Sequence, residues 1–228
     1  EMLCLPQPSS FSLAASRLGW SLQDVASVSL HGRAVENVVR HLQPGARILA
    51  LSWDATTPAK LAQFLAARGM GGSKLTVLEQ LGGPQERVRH TAASAFDLKD
   101  VVALNIIALE VAAAADAKLV PLASGLDDSL FEHDGQLTKR DVRAATLSSL
   151  APCQGELLWD VGLGAGSIAI EWLLRHPAMR AIGIEEDAAR AARAARNATA
   201  LGTPDLRIVE KAAPAAFDGL PAPDAIFV

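Results

Sequence analysis

The chain has 228 residues, 50% of them apolar and 20% charged, with a formal net charge of −4. That length suffices for one large or two modest domains with true cores, and no apolar run reaches the roughly 18 residues of a membrane span. The acidic balance, with no phosphate-binding basic stripe, argues against a general nucleic-acid binder.

From residue 9 to 19, capping serines and a closing glycine predict a short helix. Residues 25–30 are β-branched and apolar, hence a strand, and His31-Gly32-Arg33 is a turn. Residues 34–42 have helical spacing and Pro44-Gly45 ends them. A strand over 47–53 follows, then a helix opened by Thr57-Pro58 that runs to Arg68 with Gly69 as its stop. Residues 75–81 read as strand, Gly82-Gly83-Pro84 as a turn, and 101–111 as a long apolar segment. This alternation makes an α/β layer structure ending near residue 112. The alanine-rich 112–118 and the Gly- and Asp-bearing 121–134 read as a linker into a second unit.

In the second unit a helix runs from Thr138 to Leu150 and Pro152 closes it. A βαβαβ pattern then begins, with strands at 157–161, 181–184, 206–209 and 225–228 and helices at 167–175 and 188–201. Cys4 and Cys153 have no CxxC or Cys/His spacing, so neither a disulfide framework nor a metal site is expected. The opening Glu1-Met2-Leu3-Cys4-Leu5-Pro6 lacks the basic and apolar regions of a signal peptide, which makes the reducing cytoplasm the default. Both ends read as cut, because the chain starts on Glu1 and stops inside an apolar strand.

The chemistry centres on the turn after the strand 157–161. Gly162, Leu163, Gly164, Ala165 and Gly166 form a GxGxG loop between a strand and a helix, which lets backbone approach a nucleotide-like ligand. Ser167 stands where the dinucleotide motif GxGxxG places its third glycine, and the loop has no lysine, so dinucleotide and P-loop readings are weakened. S-adenosylmethionine has no phosphate and suits a bare glycine turn at a helix N-terminus. Glu185, at the end of the next strand, can accept hydrogen bonds from both ribose hydroxyls. A purely structural glycine turn and an exposed acid at a helix entry are the plain alternatives.

The segment Phe131-Glu132-His133-Asp134-Gly135-Gln136-Leu137-Thr138-Lys139-Arg140-Asp141-Val142-Arg143, the glycine loop, and Glu210-Lys211-Ala212-Ala213-Pro214 resemble the C-terminal half of the precorrin-6Y methyltransferases. Ser9-Ser10-Phe11-Ser12-Leu13-Ala14, Ser29-Leu30-His31-Gly32-Arg33 and 75–88 resemble the second half of the family's other module, a tetrapyrrole methylase. The resemblance implies an α/β chain in which a Rossmann-like methyltransferase domain over 131–228 follows the C-terminal half of a tetrapyrrole-methylase-type domain over 1–112, with 113–130 as linker. It implies methyl transfer from S-adenosylmethionine to carbons 5 and 15 of a corrin precursor, with decarboxylation of the ring-C acetate, in cobalamin biosynthesis. Cofactor contacts carry over onto Thr138, Gly162 through Gly166, Glu185 and Ala213. Lys211 and Ala212 replace the glycine and acid usual in the family, which puts a carboxylate contact to the adenine amine in doubt.

The expected partner is a small tetrapyrrole, with neither nucleic acid nor membrane, and oligomeric state stays open. Methyl transfer needs alignment and water exclusion but no nucleophilic side chain, and no catalytic residue is assigned. His31 and Arg33 read as structural or solvated, His133 as a local hydrogen-bonding group, and Arg190, Arg193 and Arg196 as a solvated helix face. Trp20, Trp53, Trp159 and Trp172 read as packing residues. Glu171 either orients the glycine turn or lies on a neutral helix surface. The competing functions are an NAD(P)-dependent oxidoreductase using the same loop and a non-catalytic cofactor-binding assembly subunit.

Overall fold

Strand pairing sorts the chain into two sheets, and the residues fall into two units, Glu1–Leu119 and Val120–Val228. The computed structural model describes residues 2–228, so the reading of Glu1 as an internal start lies outside the described residues. Among the described residues no helix is long and apolar enough to cross a membrane.

In the first unit, α1 (Ser10–Leu18) begins where the Ser12 N–H donates to Ser9 Oγ at 3.1 Å and stops at Gly19 in the left-handed conformation. Strands β1 (Val25–Ser29), β2 (Arg47–Leu51), β3 (Lys74–Glu79), β4 (Arg87–Ala92) and β5 (Asn105–Glu110) form one sheet in the order β1-β2-β5-β3-β4. Only β1 and β2 run parallel; the other pairings are antiparallel. Ala14 and Ala15 of α1 pack on Leu49, Leu78 and Ile106 of the sheet. The helix α2 (Thr57–Ala67), with Pro58 in its first turn, buries Leu61, Ala62 and Leu65.

Three local expectations need correcting here. Residues 34–42 wind as a 3-10 helix, Val35–His41, and not as an α-helix. Three valines are crowded in an α-helix, and the Asn37 side chain donates back to Ala34 O at 3.3 Å, which competes with the α ladder. The strand β4 has no apolar pattern to announce it, because it is a sheet edge and its alternate residues face water. The strand β2 stops at Leu51, and Trp53 lies 58% exposed beyond it, so this tryptophan is not a core residue. The other three do pack: Trp20 lies under the Arg47 guanidinium, Trp159 stacks on Phe217 at 5.1 Å, and buried Trp172 donates to Arg180 O.

In the second unit α3 (Arg140–Leu150) precedes β6 (Leu157–Val161), α4 (Ser167–Arg175), β7 (Arg180–Glu185), α5 (Ala188–Leu201), β8 (Arg207–Glu210) and β9 (Ala225–Phe227). The strands are all parallel in the order β8-β7-β6-β9. The chain steps outward from β6 to β8 through the two helices, then returns across β6 to lay down β9. That reversal is the switch point at which open α/β sheets bind ligands, outside the carboxyl ends of their strands. Helices α4 and α5 fill the expected residues: His176-Pro177 stops α4, and Gly202 ends α5 in the left-handed conformation.

Candidate functional site

The glycine loop leaves β6 at the switch point and is pinned to the next strand by its own backbone. Gly162 and Leu163 N–H groups both donate to Ile184 O, at 2.9 and 3.0 Å, and the Gly166 N–H closes the turn onto Leu163 O at 2.8 Å. Gly162, Gly164 and Gly166 all have positive φ, the region where a Cβ is costly. The three glycines differ in what they allow. A Cβ on Gly162 would meet nothing within 4 Å, so that face of the loop is open. A Cβ on Gly166 would come within 3.2 Å of Ala194 Cβ, so this glycine lets α5 approach the loop. Gly166 thus takes the helix-packing role that the missing third glycine holds in dinucleotide folds. The Leu163 side chain is buried against Gly183 of β7, leaving only its backbone for a ligand.

Glu185 is buried at the end of β7 and meets the loop directly. Its Oε2 accepts the Gly164 N–H at 2.8 Å and its Oε1 accepts the Asp187 N–H at 3.1 Å. Each carboxylate oxygen retains lone-pair capacity for a further donor. Asp160, near the end of β6, carries no motif that marks it in the sequence. The structure buries it under the loop, accepting the Ala169 N–H of the first turn of α4 at 3.0 Å. Burial pushes its carboxyl up to about 7; the hydrogen bond from Ala169 opposes this, and the charge on Glu185 adds to it. Gly166 gives α4 no side-chain cap, and the Ala169 N–H of that helix end is held by Asp160 instead.

The remaining expected contacts lie on other segments. Thr138 is half-buried on the strap 125–138 that leads into α3, and its carbonyl accepts from Arg143 Nη1. Ala213 is exposed after β8, whose last residue Glu210 sits beside Glu185 in the register, so its loop emerges from the same sheet edge. The peptide Ala213-Pro214 is cis.

Two polar anchors of the strap were not legible as such. Glu171 neither orients the turn nor lies on a neutral surface: it is fully buried with Arg143, at an Nε–Oε1 distance of 2.9 Å. Its carboxylate also accepts the Gly125 and Leu126 N–H groups at 2.7 and 3.0 Å. Arg143 further pairs with Asp128 at 2.8 Å, donates to Leu126 O and lies 4.8 Å over the Phe131 ring. Nor are the α5 arginines merely solvated. Arg190 donates to Gln136 at 2.6 Å, Arg193 to Asp134 at 2.8 Å, and Arg196 to both carboxylate oxygens of Glu132. His133 does hold a local turn, accepting the Gly135 N–H at 3.0 Å. In the first unit, exposed His31 borders a cavity of about 430 Å³ with Trp53, Gln80 and the buried Ser52–Asn105 pair.

The chain is similar in sequence to known proteins. A family model described as a precorrin methyltransferase domain matches residues 129–228. The precorrin-6Y C(5,15)-methyltransferase [decarboxylating] of Sinorhizobium sp is 59% identical over all 228 residues, and this chain covers 55% of it. The protein of the same name from Mycobacterium tuberculosis is 40% identical over 98% of this chain, again with 55% of its own length covered. A solved C-terminal domain of precorrin-6Y C5,15-methyltransferase from Rhodobacter capsulatus is 45% identical over 48% of this chain and 59% of that chain, with a TM-score of 0.45. The chain thus spans about half the length of the curated relatives it matches. By sequence it is similar along its whole length to about half of the precorrin-6Y C(5,15)-methyltransferases, and residues 129–228 match a precorrin methyltransferase domain.

Proposed function

We propose that this chain is part of a two-module enzyme that uses S-adenosylmethionine to methylate precorrin-6Y at carbons 5 and 15 and removes the ring-C acetate carboxylate, in cobalamin biosynthesis. Residues 131–228 would serve carbon 15 and the decarboxylation, and residues 1–112 would be the second half of a tetrapyrrole methylase acting at carbon 5, with 113–130 joining them. The reaction belongs in the cytoplasm, on a small tetrapyrrole. The observation that carries the reading is the open, lysine-free glycine loop hydrogen-bonded to Glu185 at the switch point of a parallel sheet.

The residues fit that cofactor. Open space beside Gly162 admits a bulky ligand close to backbone, and the glycine-capped N-terminus of α4, beside the Ala169 N–H that Asp160 holds, suits a polar group of the ligand. The spare lone pairs of Glu185 suit two ribose hydroxyls and would repel a 2′-phosphate. Thr138 and Ala213 complete the proposed contacts from the strap and the loop after β8. The bound cofactor supplies an electrophilic methyl on a sulfonium. The chain's part is to hold donor and acceptor carbon in line and to keep water out, since the acceptor carbon is the nucleophile and the macrocycle takes up the electrons released with carbon dioxide. Mass spectrometry of precorrin-6Y incubated with the full-length protein and methyl-labelled S-adenosylmethionine tests the proposal. Label at both carbons with loss of carbon dioxide is expected. Cofactor binding without any labelling, beside an active control, would overturn it in favour of an assembly subunit.

A further inference from the structure

Asn197 lies on α5 directly after Arg196, the last of the arginines that face the strap, and is almost completely buried. Its amide is fully engaged. Oδ1 accepts the Glu132 N–H at 2.8 Å, while Nδ2 donates to Glu132 O at 2.9 Å and to Ala165 O at 2.9 Å. The side chain therefore pairs with both backbone groups of Glu132, as a neighbouring strand would. Its second amide hydrogen holds a carbonyl of the glycine loop. Turning the amide over would set its oxygen against two carbonyl oxygens, so only one orientation is satisfied.

We propose that Asn197 is a positioning residue for the cofactor site, a clip that fixes the spacing between the strap carrying Thr138 and the glycine loop. The inference rests on reading that loop as the S-adenosylmethionine site. Three observations support it. The clip is buried, whereas the Arg196–Glu132 ion pair is exposed and contributes little to register, and the Arg193–Asp134 pair is only half-buried. It grips backbone at both ends, so it sets where main chain lies whatever the neighbouring side chains do. Ala165 O is tethered one residue before Gly166, which caps α4, so the N–H groups of that helix end are held in place before a ligand arrives. Such preorganisation lowers the ordering cost of binding.

Calorimetric titration of the full chain with S-adenosylhomocysteine tests this, using wild type, Asn197→Ala and Glu132→Pro. The proline removes the Glu132 N–H, the clip's partner on the strap, together with the exposed Arg196 ion pair, for which Glu132→Ala is the control. We expect Asn197→Ala to bind with unchanged stoichiometry and roughly tenfold weaker affinity, the size of losing one to two net hydrogen bonds. A cooperatively melting Asn197→Ala with wild-type affinity overturns the inference, because a merely structural residue lowers the melting point without moving the affinity of folded molecules. Should Asn197→Ala fail to melt cooperatively, Glu132→Pro decides by the same criterion. No heat with the wild type removes the cofactor reading itself, and this inference with it.

Discussion

Glu185 is the residue in which loop geometry and ligand chemistry meet. It holds the Gly164 N–H, and the same carboxylate is the proposed ribose partner. Replacing it with Ala should weaken S-adenosylmethionine binding by about 1–3 kcal/mol, the range for a lost charged hydrogen-bond partner; calorimetry reads this, and an unchanged affinity would remove Glu185 from the site. Gly166 is constrained twice, by φ of +78° and by the 3.2 Å approach to Ala194. Gly166→Ala should therefore lower unfolding stability by about 1–3 kcal/mol in a denaturant titration. Asp160 gives a pH signature. Its carboxyl, raised to about 7 in the folded state, binds a proton there that the unfolded chain has already lost above its ordinary pKa. Stability from this group is greatest at low pH and falls as pH rises towards 7. The carboxylates held low by arginines, Asp134 beside Arg193 among them at about 2, change stability in the opposite sense and only at lower pH. From about pH 4 to 7 the difference in melting temperature should turn steadily in favour of Asp160→Asn over wild type and level off above that; a difference independent of pH would contradict the assignment.

At the scale of elements, the strap 125–138 is held by two unlike devices. One is the buried Arg143–Glu171 pair, which also satisfies two backbone N–H groups; the other is the row on α5. Removing one partner of a fully buried pair leaves an uncompensated charge, so Glu171→Ala should cost about 3–5 kcal/mol of stability. Glu132→Ala removes only exposed ion pairs and should cost far less. Chemical denaturation of the two variants side by side checks the contrast, and equal losses would refute it. This also explains why Glu171 resisted reading from sequence. Its position on α4 is visible in the helical period, but its partner Arg143 lies 28 residues away, and nothing local announces a buried pair.

For the whole molecule, what could be read in advance followed local rules. The limits of β6, α4 and α5 are written in glycine, proline and alternating apolar residues, and GxGxG with Glu185 at the next strand end placed the loop and its acid. What escaped depends on residues distant in sequence. The strand β4 is an edge with Arg87 and Arg89 clamping Glu79, which a search for apolar alternation passes over. Asn197 looks like any polar residue on a surface helix until the strap folds over it, and Asp160 becomes a proton-binding group only when α4 and β7 bury it. Titration calorimetry of the full chain decides whether the second unit holds S-adenosylmethionine on this loop. Heat is expected with S-adenosylmethionine, its abolition in Gly164→Val with a cooperative melt retained, and no binding of NADH. Tight binding of NADH with no heat from S-adenosylmethionine would contradict it.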